Sequence, residues 1–378
     1  MQKFSLETKV SIKEREYHLR TSNNVFEHKV ISSLFEGGEI VCSRELSYNH
    51  TADEEGVFQL VKSVHEEEKG ELESLVRISE KLRGDPHAEA HNKLGLAFLQ
   101  RKMYKEAIDE FMRAIDNDAK FPEAYNNLGR ACAKLGMYKE AVEVYARAVN
   151  LAPGYADFHN NLGRIYLKQK KCRKAIEEFK KAIELNPYYG EAHYNLGLAY
   201  LVNALEKEEF EYATRLYDRT MKELETAVGI NPSYENEEFH QGKEKLVDGD
   251  IEGALTEFQL ALDEVPNQEE LNLPLNFYLR FLYDEENLDE ESILQYVRTL
   301  EMMLEKKPDY ADLRNHLGVA YTILCRYVNR KAVKQFQLAL ESNSKYAAAS
   351  RNLKLAENDS KGFHLLLSAI LRGRGNGT

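Results

Sequence analysis

The first 48 residues alternate between apolar and polar side chains, which is the pattern of β-strands. In the segment 4–12, Phe4, Leu6, Val10 and Ile12 are separated by polar residues. The alternation resumes at 17–21, and two further β-rich runs at 25–35 and 39–48 are joined by Gly37 and Gly38, as in a hairpin. This pattern predicts a sheet of four antiparallel strands.

A helical pattern follows the predicted strands. Thr51 and Glu54 have the spacing of a capping box, and an apolar stripe follows them, so a helix is predicted to begin here. We expect Lys69 and Gly70 to end that helix and a second one to follow it. Residues 1–85 are therefore predicted to form a small β-meander with helices, separate from the rest of the chain.

From residue 86 the apolar residues lie three, four and seven apart, which is helical spacing, and the pattern recurs about every 34 residues. The shared positions of three successive repeats hold His91, Leu94, Gly95, Phe98, Ala107, Phe111, Ala114; Tyr125, Leu128, Gly129, Cys132, Ala141, Tyr145, Ala148, Pro153; and His159, Leu162, Gly163, Tyr166, Ala175, Phe179, Ala182, Pro187. Such a period is typical of a solenoid of helix pairs that bury their apolar faces by stacking.

These repeats resemble the tetratricopeptide (TPR) family. The resemblance implies a mainly α fold, a superhelical α-α solenoid of about seven repeats over residues 86–357. We expect Gly95, Gly129, Gly163 and Gly197 to stand where a side chain would hold two helices apart. Pro153, Pro187, Pro232 and Pro266 are expected to follow the second helix of their repeats.

The later repeats are less regular. The fourth carries an 11-residue insert within 201–225, which we expect to lengthen both of its helices. The sixth, 269–310, keeps only Pro308, and the seventh is predicted to have two extra residues in its turn. Residues 358–378 are expected to be a capping helix and tail, whose apolar part, 363–371, either caps the last repeat or contacts a partner or membrane surface.

Composition favours a globular protein, since 43% of the 378 residues are hydrophobic and 30% are charged. We see no signal peptide at the N-terminus and no apolar run long enough to span a membrane. The four cysteines are scattered, so we expect a reducing, cytoplasmic location.

Charge is distributed in blocks that total −12. The balance is −5 in residues 1–87, +5 in 88–189, −19 in 190–310 and +7 in 311–378. Because a nucleic-acid-binding protein usually has a dominant basic surface, we expect no nucleic-acid partner.

The family resemblance also implies that certain positions of each first helix line a concave groove. Those positions hold Asn92, Lys93, Asn126, Asn127, Arg130, Lys134, Asn160, Asn161, Arg164, Lys168, Tyr194 and Asn195. Carboxamides can pair with the N–H and C=O groups of an extended peptide, and the cations would favour acidic side chains. The alternative is a solvated polar wall without a ligand.

Other candidate sites carry weaker patterns. His91, His159 and His193 share one repeat position and are interpreted as packed core residues rather than a metal ladder. The acidic clusters at 206–211 and 284–291 lack the spacing of a calcium loop and are interpreted as solvated surface. With no nucleotide-binding or hydrolase motif present, we expect no catalytic residues, metal or cofactor.

The sequence therefore predicts a non-catalytic adaptor that holds a protein or peptide segment, with an extended acidic segment as the favoured ligand. One alternative is an enzyme or small-molecule sensor in the N-terminal domain, where His18, Arg20, His28 and Cys42 are the reactive side chains. Another is an assembly factor for an envelope or motility complex. We also expect residues 86–378 to fold without the first 85.

Overall fold

The computed structural model describes residues 2–207, 215–265, 273–306 and 311–372. They divide into two compact units, one containing Met1–Asp85 with Leu271–Thr378 and the other Pro86–Glu270. The sequence-based boundaries kept 86–357 together, whereas in the structure the residues from 271 onward belong with the N-terminal sheet. The reason is a set of contacts between the first helix and the C-terminal helices, described below.

The predicted antiparallel sheet is confirmed. Its strands β1 (Ser5–Ile12), β2 (Arg15–Asn24), β3 (Lys29–Glu36) and β4 (Glu39–Ser47) pair in the order β1-β2-β3-β4. The β3–β4 hairpin closes through Gly37 (φ 59°) and Gly38 (φ 91°), since Glu36 pairs with Glu39. Both glycines have the positive φ of a type I′ turn, which side chains disfavour.

Helix α1 (Glu54–Lys81) covers one face of the sheet, and Val61 and Val64 pack on Val30. Two expectations are wrong here. Asp53, not Thr51, caps the helix, accepting a bond from the Gly56 N–H at 2.9 Å. The helix also continues through Gly70, because a helical glycine costs only about 1 kcal/mol and the apolar stripe is buried on both sides of it.

The other unit is a run of helix pairs. The first three are α2 (Ala88–Gln100) with α3 (Tyr104–Asn117), α4 (Pro122–Lys134) with α5 (Tyr138–Leu151), and α6 (Ala156–Lys168) with α7 (Cys172–Leu185). Equivalent helices begin 34 residues apart, as the repeat predicts. Pro153 and Pro187 follow the ends of α5 and α7, in agreement with their expected role.

The repeat glycines permit close packing within each pair, as predicted. A Cβ added to Gly95 would lie 2.5 Å from the Phe111 ring, and one added to Gly163 would lie 2.7 Å from the Phe179 ring. Gly129 and Gly197 meet Tyr145 and Leu224 in the same way, with distances of 2.8 and 2.9 Å. A large side chain of the second helix therefore occupies the space above each glycine.

The fourth and fifth pairs are α8 (Gly190–Glu206) with α9 (Leu216–Ile230) and α10 (Glu237–Val247) with α11 (Ile251–Glu264). Helix α8 has 17 residues against 13 in α6, so the insert adds about one turn to it. Helix α9 has 15 residues against 14 in α7. Pro266 and Pro308 lie outside the described residues.

The C-terminal helices belong to the unit that contains the sheet. They are α12 (Leu273–Tyr283), α13 (Glu290–Lys306), α14 (Ala311–Ser342) and α15 (Ala347–Arg372). Their shared core includes Phe281, Ile293 and Ile323. Ser74 and Arg77 of α1 donate to the buried carboxylate of Asp284, directly after α12. These bonds connect the first helix to this group.

The turn predicted within the seventh repeat does not form, because α14 is one 32-residue helix. No glycine or proline interrupts residues 319–342, and Arg326 in mid-helix is buried against Glu285 and the Phe281 ring. Helix α15 likewise begins before the predicted capping helix at 358–378 and runs into it without a break. Within it Leu367 is buried, whereas Leu365 is 70% exposed, so the tail docks through one side.

Candidate functional site

The first helices of repeats one to four, α2, α4, α6 and α8, are joined by a row of hydrogen-bonded asparagines. Asn127 Nδ2 donates to Asn92 Oδ1, Asn161 Nδ2 to Asn126 Oδ1, and Asn195 Nδ2 to Asn160 Oδ1, each at 3.0 Å. Each bond joins residues 35 positions apart, so it links one repeat to the next. We call these six residues the asparagine row.

The asparagine row is partly a structural device. All six side chains are buried or half-buried, and Asn160 is fully buried. Each donating carboxamide has two N–H groups and uses one of them within the row. The row therefore holds the first helices in register and still has hydrogen-bonding capacity for a ligand backbone.

The predicted cations lie beside this row. Arg130 donates to Asn127 Oδ1 at 3.4 Å, and Arg164 pairs with Glu191 at 3.1 Å. Lys134 and Lys168 are exposed, and within the described part of the chain the structure gives neither an ion-pair partner. Lys93 pairs with Glu89 on its own helix at 2.8 Å. The wall formed by these helices thus combines carboxamides with exposed positive charge.

Sequence reasoning missed three residues of this wall. Glu191 faces Arg164, and Asp157 lies in the field of Arg130. Burial raises the pKa of Asp157, and the Arg130 charge offsets part of that effect. Tyr189 accepts a bond from Asn160 Nδ2 at 3.3 Å, and its burial raises its pKa. The sequence could have indicated these residues, because all three come just before or at the start of the first helix of a repeat.

Tyr194 was predicted to line the groove but is a core residue. Its side chain is fully buried, and its hydroxyl donates to the Phe258 carbonyl oxygen at 2.8 Å. Its ring also packs beside Tyr234. Tyr194 therefore couples the fourth repeat to the fifth, and its phenol is unavailable to a ligand at the wall.

The three repeat histidines are buried, as interpreted, but each also faces a glutamate of the second helix. The distances from Nδ1 to the carboxylate are 2.7 Å for His91–Glu110 and 2.6 Å for both His159–Glu178 and His193–Glu223. His159 Nε2 also donates to the Pro153 carbonyl oxygen at 3.0 Å. The bond to Glu178 raises the pKa of His159, so its charged form is stabilised.

Reactive side chains of the N-terminal sheet are not brought together. His18 and Arg20 are exposed on β2 and pair with Glu16 and Glu7. Cys42 pairs with Leu34, which is buried beneath α1. Because paired residues share a face of the sheet, Cys42 is on the α1 side, away from His18 and Arg20. Beyond the end of β2 the rings of His28 and His50 pack edge to face, with ring centroids 4.0 Å apart.

The acidic cluster at 284–291 is exposed at Glu286, Asp289 and Glu291, as interpreted, but its first two residues have structural partners. Asp284 binds Arg77, and Glu285 pairs with Arg326 and Arg330. Of the cluster at 206–211, the described residue Glu206 pairs with Lys170 at 2.6 Å, and residues 208–211 lie outside the described range. Among the residues that the structure describes, no group of three or more His, Cys, Asp and Glu side chains is arranged to hold a metal ion.

Helix pairs repeated every 34 residues, each with a small residue beneath a large side chain, define a helical-repeat protein. A family model described as TPR repeat matches residues 95–136, 129–170 and 163–203. Residues 95–203 therefore contain TPR repeats, and the resemblance seen in the sequence is confirmed for these repeats.

Several solved structures resemble part of the chain. MamA is 27% identical over 41% of this chain and 85% of its own, with a TM-score of 0.36. TTC0263, a thermophilic TPR protein from Thermus thermophilus, is 23% identical over 50% and 96%, with a TM-score of 0.37. YrrB, described as a TPR protein with an unusual peptide-binding site, is 18% identical over 54% and 97%, with a TM-score of 0.36.

A comparison with curated proteins found no match. Within the described residues, no helix is both long enough and apolar enough to cross a membrane.

Proposed function

We propose that the protein is a non-catalytic adaptor that holds an extended, acidic segment of another protein along the wall of α2, α4, α6 and α8. The observation that carries the proposal is the asparagine row with exposed cations beside it. TPR repeats are protein-interaction modules, which supports the general class. The acidic preference rests on Arg130, Arg164, Lys134 and Lys168.

The two kinds of side chain have different roles in this proposal. Carboxamides of the asparagine row bond the ligand backbone, which is the same in every sequence. The cations select acidic side chains, and each well-formed charged hydrogen bond contributes about 1.5–3 kcal/mol. Since the row is already cross-linked by bonds at 3.0 Å, its side chains lose little freedom when a ligand binds.

The carboxylates of the wall tune this selection. An incoming acidic side chain competes with Glu191 for Arg164. Because the Arg164–Glu191 pair is half-exposed, breaking it costs little free energy. Neutral ligands leave the Arg164–Glu191 pair intact. The wall therefore favours a ligand with several acidic residues, spaced to reach more than one repeat.

We also assign the protein to the cytoplasm. The four cysteines are scattered in the sequence, and none of them is disulfide-bonded in the described part of the chain, which suits a reducing compartment. Burial raises the pKa of the Cys132 thiol to about 11, so that group is unreactive. The adaptor needs no bond-making chemistry from either unit.

The test is selection of peptides from a random library displayed on phage, using the full chain as bait. Selected peptides are then measured by fluorescence anisotropy against the wild type and an Arg130→Ala/Arg164→Ala variant. We expect enrichment of Asp and Glu, and at least a tenfold loss of affinity in the variant at 50 mM salt. The loss should be smaller at 300 mM, because exposed charges are screened over about 10 Å already at 0.1 M.

The matched control is Lys354→Ala/Lys361→Ala, which removes two exposed charges from α15 in the other unit. It should leave the affinity within about twofold. Selected peptides that bind the wild type and the arginine variant equally would overturn the assignment to this wall. Circular dichroism of each variant establishes that the repeats remain folded.

A further inference from the structure

The turn that joins α6 to α7 is unusually basic. Five of its seven residues are cations: Lys168, Lys170, Lys171, Arg173 and Lys174. All five are exposed. We call this segment, 168–174, the basic turn. It shares Lys168 with the wall, and its other four cations follow the end of the first helix α6.

The same turn is built four times in the unit, which allows a direct comparison. The N–H groups of Met103, Met137, Lys171 and Asp250 each donate to the carbonyl five residues earlier, at 2.9, 3.0, 2.9 and 2.9 Å. The preceding residues, Lys102, Gly136, Lys170 and Gly249, all have positive φ, at 57°, 74°, 59° and 82°. The backbone geometry is therefore the same in these turns, so it does not account for the different side chains that they carry.

Two of the cations in the basic turn are unfavourable for local structure. Glycine is the favoured residue at the positive-φ position after a helix, as in Gly136 and Gly249, yet Lys170 stands there, as Lys102 does in the first repeat. The first turns of α3 and α5 carry Glu106 and Glu140, which suit the positive end of a helix, whereas α7 has Lys174 at that position. Conflicts of this kind between local preference and sequence are expected at functional sites.

The positive charge is only partly neutralised within the molecule. Lys170 pairs with Glu206 at 2.6 Å, and Arg173 with Glu177 at 3.1 Å, both in exposed positions. Lys171 donates to the Gln169 side chain, and Lys174 lies 5.5 Å from the centre of the Tyr166 ring. Within the described residues Lys168, Lys171 and Lys174 have no carboxylate partner.

We propose that the basic turn is a second docking surface, which binds a short run of carboxylates on a partner protein. Lysine ammonium groups are flexible point charges, and they suit a run of carboxylates more than a single fixed geometry. The run is short because acidic residues bound the surface, with Glu206 beside Lys170 and Glu177 and Glu178 one turn along α7. A long polyanion such as a nucleic acid extends past these carboxylates and is repelled by them.

The test uses three fluorescein-labelled probes of eight units: an octaglutamate peptide, a Gly-Ser peptide and an oligothymidylate. Anisotropy is measured with the full chain at 50 and 300 mM salt. The variant Lys170→Gly/Lys171→Met/Lys174→Glu installs the residues that the second repeat has in the same turn, so it keeps the fold. We expect octaglutamate to bind the wild type and to lose at least tenfold in affinity in the variant, less at 300 mM.

The matched control is Lys354→Glu/Lys361→Glu, which makes the same change of four charge units in the other unit. It should change octaglutamate affinity by less than threefold.

The variant Arg130→Ala/Arg164→Ala distinguishes the two surfaces. A loss of octaglutamate affinity in that variant alone assigns the peptide to the wall and overturns the proposal for the basic turn. A loss of octaglutamate affinity in the basic-turn variant alone supports the proposal, whatever the outcome of the library selection. Equal loss in the control, or tighter binding of oligothymidylate than of octaglutamate, would also overturn the proposal.

Discussion

Arg77 of α1 donates to both carboxylate oxygens of Asp284, which is 207 residues further along the chain. Its Nε lies 3.0 Å from Oδ1 and its Nη2 2.9 Å from Oδ2. Asp284 is fully buried, and Ser74 and Asn287 donate to it as well. Burial alone would raise the pKa of Asp284, but these bonds hold it below its usual value. The carboxylate is therefore charged at neutral pH and depends on α1 for its cation.

We predicted from the sequence that residues 86–378 fold by themselves, and this ion pair argues against that prediction. A buried charge that loses its partner costs about 3–5 kcal/mol. Because Arg77 is one-third exposed, we expect Arg77→Ala to destabilise its unit by a smaller amount, about 2–4 kcal/mol. Urea denaturation of the full chain measures this, with the exposed Arg83→Ala as the control. The 86–378 fragment should lose the cooperative transition of α12–α15, and a fragment that keeps it would contradict the structural role of α1.

The repeat glycines give a second prediction with an internal control. An alanine at position 163 places a Cβ 2.7 Å from the Phe179 ring, and overpacking of this kind costs about 1–3 kcal/mol. Gly70 of α1 has open space around its Cα, so Gly70→Ala should stabilise the protein by about 0.5–1 kcal/mol. Opposite shifts in the thermal midpoints of the two variants are expected. A stabilising Gly163→Ala would mean that the helix pair is looser than described.

The sequence predicted the parts of the fold that depend on short-range periodicity. Strand alternation placed the sheet, and the 34-residue period placed the helix pairs, because each repeat packs mainly on its neighbours. The period also predicted close helix contact at Gly163, although it did not show that the Phe179 ring is the group in contact. These features need only a local pattern that recurs.

Long-range charge pairing was not predictable in the same way. The approach of Arg77 to Asp284 joins segments that have no shared repeat, and Arg326 in the middle of α14 pairs with Glu285, just after α12. Tyr194 was assigned to the groove because its position in the repeat usually faces inward, yet the fifth repeat covers it. Periodicity identifies a position, whereas the neighbour that covers it depends on how irregular repeats stack.

The buried histidine–glutamate pairs predict a dependence of stability on pH. The bond to Glu178 raises the pKa of His159. Burial alone would raise the pKa of Glu178, but its bonds to His159 and Lys181 hold it below its usual value. The histidine contribution is complete below its unfolded pKa of about 6.5 and is lost as pH rises through the raised value. The glutamate contribution is present above about pH 4.3 and is lost as pH falls.

We therefore expect His159→Gln to be most destabilising between about pH 5 and 6.5, and progressively less so towards pH 9. Urea denaturation of the wild type and the variant at pH 5.5, 7 and 9 gives the difference directly. The exposed His240→Gln is the control, and its effect should be small at each pH. A His159→Gln penalty that grows with pH would show that the neutral imidazole is the stabilising form.

Glu191 sets a limit on how strongly the wall attracts acidic ligands, because it occupies Arg164 at 3.1 Å. Replacing it with glutamine releases the arginine and removes a repelling charge. Exposed ion pairs are worth about 0.2–1 kcal/mol, so Glu191→Gln should strengthen binding of a library-selected acidic peptide by about two- to fivefold at 50 mM salt. The control is Glu184→Gln, an equal change of charge on an exposed residue of the second helix α7. Anisotropy titrations compare the two variants with the wild type. Weaker binding by Glu191→Gln alone would mean that this carboxylate contacts the ligand as a hydrogen-bond acceptor, and the wall would then select donors instead of acidic groups.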